Sequence, residues 1–436
     1  MKHLILFFFA VFTPLCFAAD SEQWCRFHGP NGQGHSAATG LPTQWSETEN
    51  IVWKTPLDGK GWSSPVVWND KVFLTSAQNE GKDCYVFCVH LKDGKILWNK
   101  KVFTQEIRMH HPRNSAATST PATDGKMVYA VFASGRIAAL DFSGNIVWTE
   151  DLKYYSQHGF ASSPIIYKDK FILSVNPSNP PPDGGDMMPP REKLPPEFEP
   201  RLGWQLDWDK SYLLALDKTT GKEVWRGQRG ASKIGHSTPV IVSVDGKDQI
   251  VSPAGSVIQG FDPDSGKLIW TVHSEGEPCV PTAAIGDNCV FSGTAQSAPF
   301  RCAKVDGQGD CTRTHTVWEQ KRNAPMMASF LYVKPCVYTA SDNGSFSAFD
   351  EKTGEFLWQK RLGEPLNLSP IYADGKIYVL SELGTTTIFK INADPAKEPE
   401  VVATNKIGEQ YVQASFAVAG EQLLLRTEKE LWCIGK

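Results

Sequence analysis

Short runs in which apolar and polar residues alternate fill most of this chain, and pairs such as Asp-Gly, Asn-Gly and Thr-Gly separate them. Alternation with a period of two predicts half-buried β-strands, and the Gly-containing pairs predict tight turns between them. Four such runs form a unit that recurs roughly every 45 residues. A repeat of four short strands at this period is typical of the blades of a β-propeller.

The second half of each unit is the easiest to follow. Residues 215–225 read ALDKTTGKEVW, residues 260–270 read GFDPDSGKLIW and residues 348–358 read AFDEKTGEFLW. The first half opens with a Ser/Thr-Pro step or a degenerate form of it. It starts at eight places, at Trp62, Ser119, Ser162, Ser237, Val280, Ala328, Leu368 and Ala414. We therefore predict an all-β chain with eight blades of four antiparallel strands.

The two ends of the repeat region predict how the ring closes. Residues 50–55 (NIVWKT) match only the fourth strand of a blade, and they stand before the first complete unit. After the last start the pattern supplies only three strands. The spare strand and the incomplete blade should pair, because this leaves no open sheet edge.

The first residues predict export. Lys2 is followed by an apolar stretch from Leu4 to Phe12, and small residues precede a cut expected after Ala18. We divide the chain into a signal peptide at 1–18, a leader at 19–44 and the propeller at 45–436. An extracytoplasmic location, periplasmic or secreted, follows from this division.

Charge and composition narrow the function classes. The formal net charge of −4 argues against binding nucleic acid through its phosphates. No apolar run reaches the length of a membrane-spanning helix. We expect a monomer whose partner is another exported protein, a peptide or a small ligand.

The repeat resembles a known family. The pattern Ala-x-Asp-x-x-x-Gly-Lys-x-x-Trp is similar to the tryptophan-docking repeat of the pyrroloquinoline-quinone (PQQ) propellers, and the resemblance runs from Trp24 to Lys436. That superfamily contains quinoprotein dehydrogenases and non-catalytic assembly subunits, so the resemblance implies the fold and leaves the chemistry open. Residues 24–34 (WCRFHGPNGQG) resemble the leader of exported PQQ-like repeat proteins.

One tryptophan per blade, after a Gly turn, is what packing between wedge-shaped sheets needs. We interpret these residues as structural rather than as platforms for a ligand. They are Trp53, Trp98, Trp148, Trp225, Trp270, Trp318 and Trp358.

Binding residues are expected where the chain enters the first strand of each blade, because these loops converge on one funnel around the central channel. The proposed funnel residues are Trp62, His110, His111, Arg113, Asn114, His158, His236, Pro278, Met326, Met327 and Asn367. Histidines from consecutive blades could bind a metal or relay protons, or they could simply bond to neighbouring loops. We assign no catalytic residue and no metal ligand.

A long insertion, at 177–208, carries nine of the 29 prolines and should be extended. By its position in blade 3 it is either a lid or docking arm over the funnel, or a surface decoration. Nine cysteines follow the predicted cut. Cys84 and Cys88 are too far apart along one strand to bridge, and Cys302 with Cys311 is the most plausible disulfide.

Three functions remain open. The first is a non-enzymatic binding or protein-assembly scaffold without a cofactor. The alternative is a dehydrogenase of alcohols or sugars that uses PQQ with calcium, although the chain has no adjacent cysteine pair and no haem-attachment motif. The third is a carbohydrate-binding or hydrolytic propeller, for which Glu47, Glu106, Asp183 and Asp186 are the available rim carboxylates.

Overall fold

The computed structural model describes residues 23–105, 113–154, 156, 158–177, 211–276, 278–293 and 298–436. Two short strands precede the repeats, β1 (His35–Ser36) and β2 (Ile51–Pro56). The predicted signal peptide and nearly all of the proline-rich insertion lie outside the described residues. His110 and His111 also lie outside them.

Blades 1 to 4 follow in chain order, each an antiparallel sheet whose strands are neighbours in sequence. Blade 1 holds β3 (Val66–Trp68), β4 (Lys71–Gln78), β5 (Asp83–His90) and β6 (Ile96–Thr104). Blade 2 holds β7 (Ala122–Thr123), β8 (Met127–Val131), β9 (Arg136–Asp141) and β10 (Ile146–Asp151). Blade 3 holds β11 (Ile165–Tyr167), β12 (Lys170–Val175), β13 (Tyr212–Asp217) and β14 (Glu223–Gln228). Blade 4 holds β15 (Val240–Val244), β16 (Lys247–Ala254), β17 (Val257–Phe261) and β18 (Leu268–His273).

Blades 5 to 8 complete the ring. Blade 5 holds β19 (Ala284–Ile285), β20 (Cys289–Gly293), β21 (Phe300–Lys304) and, after β22 (Gly309–Asp310) and the short helix α1 (Thr312–His315), β23 (Thr316–Gln320). Blade 6 holds β24 (Leu331–Val333), β25 (Cys336–Ala340), β26 (Ser345–Asp350) and β27 (Phe356–Arg361). Blade 7 holds β28 (Ile371–Ala373), β29 (Lys376–Leu380), β30 (Thr385–Lys390) and β31 (Glu400–Lys406). Blade 8 holds β32 (Ala417–Ala419), β33 (Gln422–Arg426), β34 (Glu430–Ile434) and the early strand β2.

The eight-bladed prediction is confirmed, and so is the closure. Strand β2 pairs antiparallel with β34, with Ile51 opposite Ile434 and Pro56 opposite Glu430. Two additions were not predicted. Strand β1 joins blade 7 parallel to β28, and β22 joins the outer edge of blade 4 parallel to β18.

The hydrophobic core lies between the blades, because each sheet turns apolar side chains toward both neighbours. One cluster joins Phe73 and Val86 of blade 1 to Val128 and Leu140 of blade 2. Equivalent clusters follow around the ring. The cluster that joins blades 7, 8 and 1 also takes in Trp24 and Leu41 of the leader and Trp45, which follows it.

In all eight blades, a bulge interrupts the pairing of the third and fourth strands. In blade 2, Ile146 lies opposite Leu140 and Trp148 opposite Ala139, so Val147 has no partner. The extra residue puts Val147 outside, 49% exposed, and turns Trp148 into the interface. The bulge therefore allows two consecutive apolar residues, Val147 and Trp148, to stand on an outer strand with only the first exposed.

Among the described residues, no helix is both long enough and apolar enough to cross a membrane.

Candidate functional site

A ring of hydroxyl groups surrounds the central channel. Each blade contributes the Ser or Thr that stands just before its first strand, and we call this set the hydroxyl girdle. Its members are Ser64, Thr120, Ser163, Thr238, Thr282, Ser329, Ser369 and Ser415. The Ser/Thr-Pro step of the repeat supplies the clearest of them.

The girdle links each blade to the next. The Ser64 N–H donates to Thr120 Oγ1 at 2.9 Å, and the Thr120 N–H donates to Ser163 Oγ at 3.0 Å. The last link closes the circle, since the Ser415 N–H donates to Ser64 Oγ at 3.0 Å. Within the described residues, seven of the eight junctions carry such a bond. Seven of the eight hydroxyl oxygens therefore accept a girdle bond, and each keeps its own proton to donate elsewhere.

Residues 23–36 of the leader cross the channel beyond the girdle, and we call them the leader strap. Backbone groups of the strap bond to first strands on opposite sides of the ring. Val67 N–H donates to Trp24 O at 2.8 Å, and Tyr372 N–H donates to Gly34 O at 2.8 Å. Further bonds reach blade 2 at Thr123 and blade 5 at Ile285. The strap therefore closes the far end of the channel.

A buried histidine anchors the strap. His28 is 1% exposed, and its Nε2–H donates to Pro370 O at 2.8 Å. Burial is the main reason that the pKa of His28 falls to about 4, so the ring is neutral in the folded protein. A Cβ on Gly34 would lie 2.4 Å from His28 Nε2, so only glycine fits beside it.

The funnel and the strap enclose a cavity of about 240 Å³. The structure places nine of the eleven predicted funnel residues in its lining, and the other two, His110 and His111, lie outside the described residues. Those nine are Trp62, Arg113, Asn114, His158, His236, Pro278, Met326, Met327 and Asn367. The structure thus brings together loops from seven blades, and the role of these residues in binding stays a prediction.

Blades 7, 8 and 1 form a polar wall of the cavity. Asn367 Nδ2 donates to the carboxylate of Glu382, and Gln413 Nε2 donates to Glu382 Oε1 at 2.9 Å. Gln413 Nε2 also lies 2.8 Å from the Tyr411 hydroxyl, whose ring meets Trp62 edge to face at 5.5 Å. Glu382 therefore orients two amides, because a carboxylate can only accept.

Two histidines lie on the side formed by blades 3 and 4. The rings of His158 and His236 are perpendicular, with centroids 5.5 Å apart. Asn114 Nδ2 donates to His158 O at 2.6 Å, and His236 N–H donates to Cys279 O at 2.7 Å. These contacts to neighbouring loops favour a structural role for the backbone groups of both histidines.

The remaining side of the cavity is mainly apolar. Val280 and Pro278 of blade 5 and the pair Met326 and Met327 of blade 6 line it. Arg113 reaches across from blade 2, with Nη1 3.8 Å from Met327 Sδ. Phe27 of the leader strap completes the lining from below.

Two fully buried arginines support the loops around the funnel. Arg426 Nη1 donates to Ser63 Oγ at 2.8 Å, next to the girdle residue Ser64. Arg229 Nη1 donates to Ser252 O and to Gln259 Oε1, both at 3.0 Å. Burial lowers the pKa of each guanidinium to about 9, since neither is bonded to a carboxylate among the described residues.

The repeated tryptophans pack between blades in a constant way. Trp148 Nε1–H donates to Lys218 O of blade 3 at 2.9 Å, and its ring covers Gly221. The same bond to the next blade occurs at four other positions, where the acceptor follows the turn Asp in three blades and His90 in blade 1. These are Trp53 to Leu91, Trp98 to Phe142, Trp225 to Pro263 and Trp318 to Glu351.

Trp270 differs from this pattern. Its indole N–H donates to Gln249 Oε1 of its own blade at 2.8 Å, and its ring covers Gly260. The next blade has no Asp-x-x-x-Gly turn at the matching place, because β22 and α1 replace it. Trp358 is also buried, in the cluster between blades 6 and 7.

The donor set tests whether PQQ with calcium fits the cavity. Calcium prefers carboxylate and carbonyl oxygens, and no Asp or Glu lines the described part of the cavity. No group of three or more His, Cys, Asp or Glu able to hold a metal occurs among the described residues. The described lining therefore does not fit a calcium-bound quinone.

Of the four carboxylates considered for a glycosidase, the structure describes only Glu47. Glu47 lies beside Gly408, where an added Cβ would overlap its carboxylate, and it does not line the cavity. Glu106, Asp183 and Asp186 lie outside the described residues.

The expected Cys302–Cys311 disulfide is wrong. Both residues carry free thiols, as do the other seven described cysteines. Cys302 lies on β21, whereas Cys311 directly precedes α1 and its thiol donates to Gln308 O at 3.2 Å. The Gly-rich segment between them forms β22 on blade 4 instead of a tight turn, which directs the two side chains apart.

Sequence reasoning missed three parts of the site. The girdle hydroxyls stand in the Ser/Thr-Pro steps, which were used only as repeat markers. Gln413 precedes the last of these steps, so its register could have identified it. Phe27 had no such signal, because the path of the leader across the ring depends on tertiary packing.

Comparisons with known proteins agree with the fold. A family model described as outer membrane protein assembly factor BamB matches residues 35–163, 206–304 and 310–430. The quinoprotein alcohol dehydrogenase PedE of Pseudomonas putida is 38% identical over 73 residues, which are 16% of this chain and 12% of that protein. BamB of Yersinia pestis is 20% identical over 206 residues, which are 42% of this chain and 50% of that protein.

A solved structure is also similar. The crystal structure of BamB from Moraxella catarrhalis has a TM-score of 0.58 and 16% identity, and the match covers 88% of this chain and 96% of that chain. At this identity the similarity concerns the fold alone. This chain spans half or less of the length of the two curated relatives named above. Since the family model matches most of the chain and the eight-bladed ring is observed, the chain belongs to the PQQ-like propeller family whose model is described as outer membrane protein assembly factor BamB.

Proposed function

We propose that this protein is a non-enzymatic binding and assembly scaffold that holds an exported protein or peptide at the funnel. The observation that carries the proposal is the cavity itself: a rigid ring of eight blades surrounds a closed-ended, mixed polar and apolar lining that offers no paired carboxylates in its described part. Glycoside hydrolysis needs such a pair of carboxylates, and calcium needs carboxylate or carbonyl ligands. The relatives named as assembly factors support the same function.

Export is part of this proposal. The predicted cut after Ala18 would give a mature chain that starts at Ala19. Sequencing the N-terminus of protein recovered from the cell envelope tests it, and a chain that still begins at Met1 would contradict it.

A site-specific photo-cross-linker tests the binding site. Benzoylphenylalanine placed at Thr118, which lines the cavity, should yield discrete cross-linked proteins in intact envelopes. The same group at Val224, on the outer strand of blade 3 and 48% exposed, is the matched control. Equal cross-linking at both positions, or none at Thr118, would contradict a partner at the funnel.

A quinoprotein dehydrogenase is the second candidate, because relatives with that name share local identity with this chain. Titration of the purified protein with PQQ and calcium, followed by dye-linked oxidation of alcohols and sugars, decides between the two. Turnover that depends on the quinone would replace the scaffold function.

A further inference from the structure

We propose that the cavity binds a neutral, extended peptide segment, which inserts one apolar side chain and pairs its backbone with Trp62 and Asn367. This inference rests on the proposed function, since it names the chemistry of the partner at the same site. Two buried polar atoms, the charge of the lining and its apolar side each support it independently.

Trp62 supplies a hydrogen-bond donor. The residue is 4% exposed, lines the cavity, and its Nε1–H has no acceptor among the described residues. The ring is held by the edge-to-face contact with Tyr411 and by the ammonium of Lys60, 5.1 Å from the ring centre. A buried donor without a partner is unfavourable, so an acceptor that reaches Nε1 from the cavity stabilises the complex.

Asn367 supplies an acceptor on the same wall. Its Nδ2 faces the carboxylate of Glu382, which fixes the orientation of the amide. The other end, Oδ1, is buried and has no donor among the described residues. A peptide unit offers both an N–H and a C=O, so it can satisfy Asn367 and Trp62 together.

The charge of the lining favours a neutral ligand. The described lining holds no carboxylate that would attract a cation, and the guanidinium of Arg113 would oppose one. An anion would approach Asn367 Oδ1 with Glu382 directly behind it, which is repulsive.

The apolar side favours a peptide over a sugar. Sugars stack on exposed aromatic faces, but the Trp62 ring is buried and its surroundings are occupied by Tyr411 and Lys60. Met326 and Met327 provide unbranched, polarizable chains that adapt to different apolar side chains. A cavity of about 240 Å³ lies below the usual range of roughly 300–1,000 Å³ for whole small-molecule ligands, and it suits a single side chain with its peptide unit.

Binding of short model peptides tests the inference. The probes are six blocked peptides of the form acetyl-Ala-Ala-X-Ala-Ala-amide, in which X is Leu, Ile, Val, Phe, Met or Trp. The readout is the methyl resonances of Met326 and Met327 in the full mature chain labelled at its methionine methyl groups. We expect a saturable shift of these resonances by at least one peptide. Trp62→Phe should weaken the affinity for that peptide about fivefold, which corresponds to the loss of one hydrogen bond.

Trp45→Phe is the matched control. Trp45 is also 4% exposed and its Nε1–H also has no acceptor among the described residues, but it packs on Phe416 outside the cavity. Its substitution should leave peptide affinity unchanged. A second test needs no variant: an ester in place of the amide N–H of X removes the donor to Asn367 and should weaken binding by a similar factor.

Three results would overturn the inference. They are the absence of a saturable shift with every peptide at millimolar concentration, equal affinity of Trp62→Phe and wild type, and Trp62-dependent binding of maltohexaose in place of the peptides. The photo-cross-linking at Thr118 is independent of these measurements. If cross-links persist while the peptides fail, the scaffold function stands and only the peptide chemistry is wrong.

Discussion

At the scale of single residues, the repeat is a set of paired requirements. A tryptophan on one blade needs a glycine on the next, because the indole lies where a side chain would begin. Gly221, under Trp148, also has a positive φ of 73°, so two separate reasons exclude other residues there. The Asp that precedes the turn adds a third link, since Asp217 Oδ1 accepts from the N–H groups of Thr219 and Thr220.

Gly221→Ala separates the stacking from the backbone strain. An added Cβ would lie 2.7 Å from the Trp148 ring, and we expect a loss of about 3 kcal/mol in the free energy of unfolding, from overlap and strain together. Gly246→Ala is the control, because Gly246 has a φ of 76° with no atom within 4 Å. It should cost only about 1 kcal/mol. Urea unfolding measures both, and equal losses would mean that stacking adds nothing.

At the scale of elements, the girdle links neighbouring blades at one end of their first strands, and the leader strap bonds to four of these strands at the other end. These links run from backbone to side chain or from backbone to backbone, and they are almost wholly buried. They hold the cavity between two fixed layers. The tryptophan contacts lie at the outer edges of the blades. Neighbouring blades are therefore joined by hydroxyl hydrogen bonds near the channel and by indole packing at the periphery.

Ser163→Ala tests the girdle. It removes the acceptor of the Thr120 N–H and leaves that group buried without a partner, which should cost about 1–3 kcal/mol. Ser237→Ala is matched, because Ser237 is also fully buried and its hydroxyl has no partner among the described residues. Its loss should change the free energy of unfolding by less than about 0.5 kcal/mol. Thermal unfolding compares the two variants. If Ser163→Ala leaves the free energy of unfolding unchanged, the girdle bonds contribute little to stability.

The leader strap should make stability depend on pH. The pKa of His28 is about 4 in the folded chain and about 6.5 in the unfolded one, so between these values only the unfolded chain takes up the proton. The contribution of His28 to the free energy of unfolding is fully present above about pH 6.5, and it falls by about 3 kcal/mol as the pH drops toward 4.

Urea unfolding of wild type and of His28→Asn at pH 7 and pH 4.5 measures this dependence. We expect His28→Asn to have the flatter profile, since the amide can still donate to Pro370 O but does not titrate. His273→Asn, on an exposed position of β18, should keep the profile of wild type. If His28→Asn loses as much stability as wild type between pH 7 and pH 4.5, groups other than His28 cause the pH dependence.

At the scale of the whole molecule, the ring is closed by strands from opposite ends of the sequence. Blade 8 combines β2 with three strands from the last 20 residues of the chain. Such a closure makes the last blade depend on contacts separated by nearly the full length of the chain. It also places the leader, which precedes β2, against blades 7, 8 and 1.

Deleting residues 430–436 tests the closure. The change removes β34 and leaves β2 and β33 without their shared partner, so blade 8 loses its pairing and a fully buried part of the core. We expect loss of the single cooperative transition in thermal unfolding followed by circular dichroism. Removal of the exposed Lys436 alone is the control and should leave the transition unchanged. A cooperative transition at the wild-type temperature in the deletion would mean that the ring closes without this pairing.

Repeat spacing, turn residues and alternating polarity were sufficient to predict eight blades, the closing strand and the loops that meet at the funnel. These features are local, since strand period and turn chemistry depend on neighbouring residues. Trp62 and Asn367 could be assigned to the funnel for the same reason, because each stands before the first strand of a blade.

Other features depend on residues far apart in the sequence, and only the tertiary structure decided them. The path of Phe27 into the channel, the orientation of Asn367 by Glu382, and the separation of Cys302 from Cys311 all result from packing between blades or from the parallel addition of β22. Nothing in the local pattern encodes these contacts. The sequence by itself determined the ring and its funnel. The closed floor of the cavity, and a donor and an acceptor that have no partner among the described residues, arise only when eight blades and the leader strap come together.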